Sequence, residues 1–109
     1  MAFNLVVTER FKNTYLKCLE GIIEPRDKEV LEEDTEQRFG HLMAYAKSYR
    51  LIDDPDLAAR GVRKVKLLRS NYKIVFKVIH RDVVAIAIYR HTRRKDKENS
   101  TEGKVIDIL

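Results

Sequence analysis

From Arg63 to Val78 the chain reads RKVKLLRSNYKIVFKV, in which apolar and polar positions alternate as they do in a strand with two different faces. The same rhythm predicts strands over Val62 to Leu68, Tyr72 to Val78 and Val83 to His91, joined by RSN and HRD connections short enough to be hairpins. Ahead of them the period is helical. Thr8 is placed to cap a helix over Glu9 to Glu20, with Phe11, Tyr15, Cys18 and Leu19 on one stripe and Gly21 closing it. A second helix is expected from Asp27 to Leu51, with Leu31, Thr35, Phe39, Leu42, Ala46 and Tyr49 on a common face. Its EEDTE cluster reads as a solvated face suited to the positive end of the helix dipole. AFNLVV at the start reads as a first strand, and DDPDLAARG as a turn with at most one helical turn from Asp56 to Arg60.

These elements predict an α+β domain: an N-terminal strand and an α-hairpin packed on one face of a mainly antiparallel sheet of three to four strands. Strand parity assigns the faces. Val65, Leu67, Ile74, Phe76, Val78, Val84, Ile86 and Ile88 should meet the helices. Lys64, Lys66, Lys73, Val75, Lys77, Ala85, Ala87, Tyr89, His91 and Arg93 should share the opposite face, a shallow positive hollow floored by the two alanines. Residues 1–97 are expected to form the single domain. Residues 98–109 form a polar tail, in which VIDIL either docks as a last strand or binds a partner.

Charge sharpens the picture. The formal net charge is +5, but it is not evenly spread. Residues 60–97 carry 13 Lys/Arg against 2 Asp/Glu, while residues 1–59 are net acidic, so a polyanion is the partner expected of the strand face. The single Cys18 sits on an apolar stripe and reads as a core residue, not as a nucleophile. The start lacks the basic n-region of a signal peptide, and the longest apolar run, Val83 to Tyr89, is too short to span a bilayer. A cytoplasmic protein without a membrane partner is expected. His41 in a helix and His80 in a turn make no spaced ligand set, so neither a metal nor any other cofactor is expected.

The order of helical hairpin and three-strand meander, together with KVKLLRSNYKIVFKV and DVVAIAIYRHTRR, resembles the RelE/ParE superfamily of toxins from type II toxin–antitoxin systems. The resemblance is strongest over Gly61 to Arg94. It implies a ribosome-associated mRNA endonuclease that is silenced by a cognate acidic antitoxin. The alternatives it leaves are a toxin that inhibits DNA gyrase by binding, or a basic nucleic-acid-binding adaptor of the same fold. The family's aromatic-basic pair, often Tyr-Arg, is Tyr72-Lys73 here, and no Tyr follows Tyr89; both departures favour gyrase.

The cleaving branch has basic catalytic groups where this chain has Lys64, Lys66, Lys73 and Arg93. Cleavage without metal needs a base for the 2′-hydroxyl, charge on the phosphate and an acid for the leaving 5′-oxygen. Clustered lysines suit the first two tasks, because neighbouring cations favour loss of a proton from one of them. Lys66 is the candidate base, Lys73 and Arg93 are the candidate phosphate holders, and His91 is the candidate acid. Lys64, Arg69, Lys77, Tyr89, Arg90 and Arg94 are expected to bind nucleic acid, Tyr89 by stacking on a base. The plainer account of the same lysines is a strand face kept soluble and free of edge pairing.

Overall fold

The computed structural model describes residues 3–91. Within them the order is β1 (Asn4–Val7), α1 (Glu9–Glu20), α2 (Pro25–Tyr45), α3 (Pro55–Ala59), β2 (Val62–Lys66), β3 (Tyr72–Ile79) and β4 (Asp82–Arg90). The strands form one sheet in the order β1-β4-β3-β2, antiparallel except for the parallel β1–β4 pair. This is the α+β arrangement expected from the sequence. The boundary between domain and tail at residues 97 and 98, and the VIDIL segment, lie outside the described residues.

Local chemistry explains most of the element ends. The Thr8 hydroxyl accepts from the Phe11 amide at 3.0 Å and caps α1, and Glu9 occupies the first turn. Pro25 opens α2 as a first-turn proline, because a missing N–H costs nothing there, and the helix thus begins two residues before Asp27. The helix also ends earlier, tightening into a 3-10 turn over Ala46–Ser48. Leu51, expected at the end of that helix, instead bridges Arg63. The segment runs along the outer edge of β2, with Lys64 N–H donating to Arg50 C=O at 3.3 Å and Ile52 N–H to Val62 C=O at 3.0 Å. Asp54 caps α3 through the amides of Asp56 and Leu57. Gly61 then takes φ +80, which suits a residue without Cβ, and leads into β2.

The main correction concerns which side chains of β4 face which way. Val75 pairs with Ala87 and Phe76 with Ala85, so Ile86 is an extra residue, a β-bulge. Val83, Ala85 and Ile88 consequently face the helices, in one core with Phe11, Leu31, Leu42, Ala46, Val65, Leu67, Ile74 and Phe76. Ile86 and Ala87, although adjacent, both join the opposite side. Val84 and Ile86 therefore do not belong to the helix face as strand parity implied, and Ala85 does. The bulged backbone is held by α1, which covers the edge of β4 where β1 has ended. The Thr8 hydroxyl lies 2.8 Å from Ala85 C=O and 3.1 Å from Ile86 C=O, and Thr14 Oγ1 accepts from Ile88 N–H at 3.1 Å.

The opposite face is not an open hollow. Ile52 and Leu57, from the segment between α2 and β2, pack with Val62, Val75, Ile86, Ala87 and Tyr89 in a second core. Val75 is 0% and Ala87 1% exposed. Protein interiors are close-packed, so residues this fully buried leave little room for added methylenes. Ala87→Leu should thus cost about 1–3 kcal/mol, read as a lowered denaturation midpoint in urea; an unchanged midpoint would mean that the face is open after all.

A second correction lies within EEDTE. Glu32, Glu33 and Glu36 are exposed, but Asp34 and Thr35 are buried. The Asp34 carboxylate accepts from the amides of Leu68 (3.2 Å), Arg69 (2.9 Å) and Ser70 (2.7 Å) and from the Ser70 hydroxyl (2.8 Å). Burial alone would raise its pKa, but the hydrogen bonds from Ser70, Arg69 and Leu68 outweigh it and hold the carboxyl below its ordinary value. Asp34→Asn should destabilise the fold at neutral pH by about 1–3 kcal/mol. The contribution of the ionised group is complete above about pH 4 and is lost as pH falls through the lower folded-state value. The stability gap between wild type and Asp34→Asn, measured by urea unfolding, should therefore close on acidification.

Candidate functional site

The sheet register builds a short row of functional side chains. Lys66, the last residue of β2, pairs with Lys73 of β3, and Lys73 pairs with Tyr89 of β4. Period-two alternation places all three on the face opposite the helices, beside the Ile52–Leu57 core. Lys66 is exposed and Lys73 is half-buried, whereas Tyr89 is buried in the second core, so it is not the open stacking platform expected from the sequence. Two like charges directly opposite each other disfavour the strand pair, so their presence there is a cost to folding. His91 lies two residues beyond Tyr89, and its amide donates to Asn71 C=O at 2.8 Å, which closes the β3–β4 pair at this end.

Other candidates are placed differently. Lys64 shares the face but is almost fully buried, and its Nζ lies 2.9 Å from Asp53 Oδ2. Its charge is thus directed to the segment covering the sheet. Lys77, four residues along β3 from Lys73, pairs with Val62 and Val84 at the far end of the second core, roughly 13 Å from Lys73 at the usual rise per residue. Arg69 sits in the β2–β3 turn and points toward α2, with Nη1 3.1 Å from Glu33 Oε2. Arg90 pairs with Tyr72 and, next to Tyr89 in the strand, belongs to the other face. Arg69, Tyr72 and Arg90 line an open groove of about 380 Å³ with Ile22, Ile23 and Glu24 from the α1–α2 turn. Arg93 and Arg94 lie outside the described residues.

Three residues around the row escaped sequence reasoning: Asp34, Arg38 and Asp53. Arg38 Nε donates to the Lys66 carbonyl at 3.0 Å, and its Nη1 to the Tyr49 hydroxyl at 3.2 Å. The signal available was the i, i+4 spacing of Asp34 and Arg38, which reads equally well as a surface helix pair. Cys18 is partly buried on α1 with Sγ 3.8 Å from Ile88 C=O, and burial pushes its thiol up, away from the thiolate a nucleophile requires. Among the described residues no group of three or more His, Cys, Asp or Glu side chains is arranged to hold a metal, and no helix is long and apolar enough to cross a membrane.

Known proteins of the same shape identify the architecture. A chain of the chromosomal ParDE toxin–antitoxin system from P. aeruginosa superposes with a TM-score of 0.68 at 19% identity, covering 84% of this chain and 98% of that one. The isolated E. coli RelE toxin gives 0.56 at 20% identity, over 99% and 100% of the two chains. A chain of the RelBE2 toxin–antitoxin complex from Mycobacterium tuberculosis gives 0.57 at 15% identity, over 84% and 100%. The chain has the RelE/ParE fold. No family model matches the sequence, and neither does any curated protein, so the likeness is carried by structure.

β2 thus presents two kinds of lysine, and they should respond differently to truncation. Lys64→Ala removes one partner of Asp53, which keeps Arg50 at 3.3 Å, and should lower the unfolding free energy by about 1 kcal/mol, allowing for the exposure of Asp53. Lys66→Ala, at an exposed position, should stay within about 0.5 kcal/mol of wild type. Thermal unfolding of the two variants side by side checks the distinction.

Proposed function

We propose that this chain is the toxin of a type II toxin–antitoxin pair, acting in the cytoplasm as a metal-independent, ribosome-associated mRNA endonuclease. The observation that carries the reading is the registered row Lys66–Lys73–Tyr89, which sets two cationic side chains and an aromatic ring side by side on one face. Such a row suits single-stranded RNA, whose phosphates take the cations; the Tyr89 ring, 6% exposed in the second core, backs Lys73 and is too covered to stack on a base. In this reading Lys66 takes the 2′-hydroxyl proton, so that the oxygen can attack the adjacent phosphorus. Lys73 and Arg93 stabilise the charge on the phosphate oxygens, and His91 delivers a proton to the departing 5′-oxygen. An acidic antitoxin is the expected partner, since carboxylates that pair with the same cations would block the row. The solved E. coli RelBE toxin–antitoxin complex, 21% identical with a TM-score of 0.55, contains a chain of this fold.

One observation favours a second reading. Lys73 stands where the family's aromatic-basic pair often has Arg, and it lacks the planar fork that holds a phosphate at two points. A gyrase-directed toxin that acts by binding would use the same scaffold without cleavage. Primer extension on cellular messages after induction, read together with plasmid supercoiling, separates the two. The endonuclease reading expects new message ends and unchanged supercoiling. Lys66→Ala and Lys73→Ala should each reduce cleavage by about 10²- to 10⁴-fold in a folded protein, and Arg93→Ala should do the same. Lys47→Ala, an exposed cation in the 3-10 turn after α2, serves as the charge-loss control and should leave cleavage intact. Intact messages with altered supercoiling would transfer the function to gyrase.

A further inference from the structure

β2 ends at Lys66 and β3 begins at Tyr72, so the register that sets Lys66 against Lys73 depends on how the turn between them is held. We propose that Arg38 and Asp34, one helical turn apart on α2, are positioning residues of the basic row; the inference rests on the row being the working surface. Arg38 takes hold of the turn at its start, through the hydrogen bond from Nε to the Lys66 carbonyl at 3.0 Å. Asp34 takes hold of its middle, accepting from the successive amides of Leu68, Arg69 and Ser70. The match is chemical as well as spatial. A carboxylate faces three amides and a hydroxyl, a guanidinium faces an acceptor, and i, i+4 spacing puts both on one side of the helix.

Arg38 is itself anchored. Its guanidinium carbon lies 5.8 Å from the centre of the Tyr49 ring, its Nη1 reaches the Tyr49 hydroxyl, and Tyr49 meets Phe76 edge-on at 6.1 Å in the first core. Closure of the hairpin has separate supports. Leu67 is 2% exposed in that core, and its amide donates to Tyr72 C=O at 2.9 Å. The polar grip from α2 therefore adds direction to a turn that apolar burial already holds shut. Its effect falls on Lys66, whose carbonyl is bound on one side while its side chain projects from the exposed end of the strand.

A double-mutant cycle tests this. Arg38→Ala and Lys66→Ala, alone and combined, are compared in single-turnover cleavage of ribosome-bound message, each rate taken per folded molecule. Arg38→Ala should lower the rate about tenfold in the Lys66 background and have no further effect once Lys66 is alanine, since it acts through that residue. Arg38→Lys, which keeps one donor toward the carbonyl, should restore part of the loss. Equal losses in both backgrounds, or no loss in folded Arg38→Ala, would overturn the proposal. Asp34→Asn adds a readout that does not depend on cleavage. Amide exchange at Leu68, Arg69 and Ser70 should accelerate, and unchanged exchange would overturn the grip. If the wild type does not cleave, the endonuclease reading fails by itself, and the same cycle is read in low-salt affinity for a single-stranded RNA oligomer, with the same outcomes deciding.

Discussion

A sheet with one long helical hairpin beside it still has two faces, and the extra residue Ile86 in β4 reconciles them. The bulge turns Val83, Ala85 and Ile88 toward the helices and sends Ile86, Ala87 and Tyr89 the other way, so that each side receives a core. On the other edge of β4, where β1 ends opposite Ala85, the backbone groups no longer meet a neighbouring strand. Thr8 and Thr14 on the α1 side take up the carbonyls of Ala85 and Ile86 and the amide of Ile88. The membership of Ile86 in the second core and the pairing of Tyr89 with Lys73 follow from that insertion.

The second core also decides which charges remain available. Once Ile52 and Leu57 cover the middle of the sheet, the strand lysines cannot all project into one cationic field. Lys64 is drawn into the covering layer by Asp53, because a nearly buried ammonium is tolerable only with a partner. Lys77 stands at the far end. Lys66 is left at the exposed end of β2, across from Lys73 and in line with Tyr89. A basic segment of the sequence thereby becomes a short row at one end of the sheet, and that locality distinguishes a site from a merely positive surface.

α2 links the acidic half of the chain to this row. Its exposed carboxylates face solvent, whereas Asp34 is inside and serves the amides of the β2–β3 turn. Arg69 in the same turn is drawn toward Glu33. The turn is therefore shaped by ionic and hydrogen-bonded contacts to the helix, while its apolar residue Leu67 is held by the core. The RelE/ParE fold supplies the scaffold, and side chains of this chain set the geometry at the row.

Periodicity and connection length determined the element types, the antiparallel meander and the helical hairpin, and alternation within each strand put Lys66, Lys73 and Tyr89 on the side away from the helices, because those features follow from spacing along one element or a short turn. Thr8 and Gly21 marked the ends of α1 for an equally local reason, as a side-chain cap and a helix stop. Only the tertiary structure decided the rest. A bulge at Ile86 inverts parity for everything before it in β4, and alternation contains no sign of it, since Val84, Ile86 and Ile88 form a sound apolar face on paper. Asp34 and Lys64 were unreadable for the same kind of reason. A charged residue in a charged neighbourhood looks solvated until long-range folding brings it the amides of Leu68 to Ser70, or the carboxylate of Asp53, that make burial affordable.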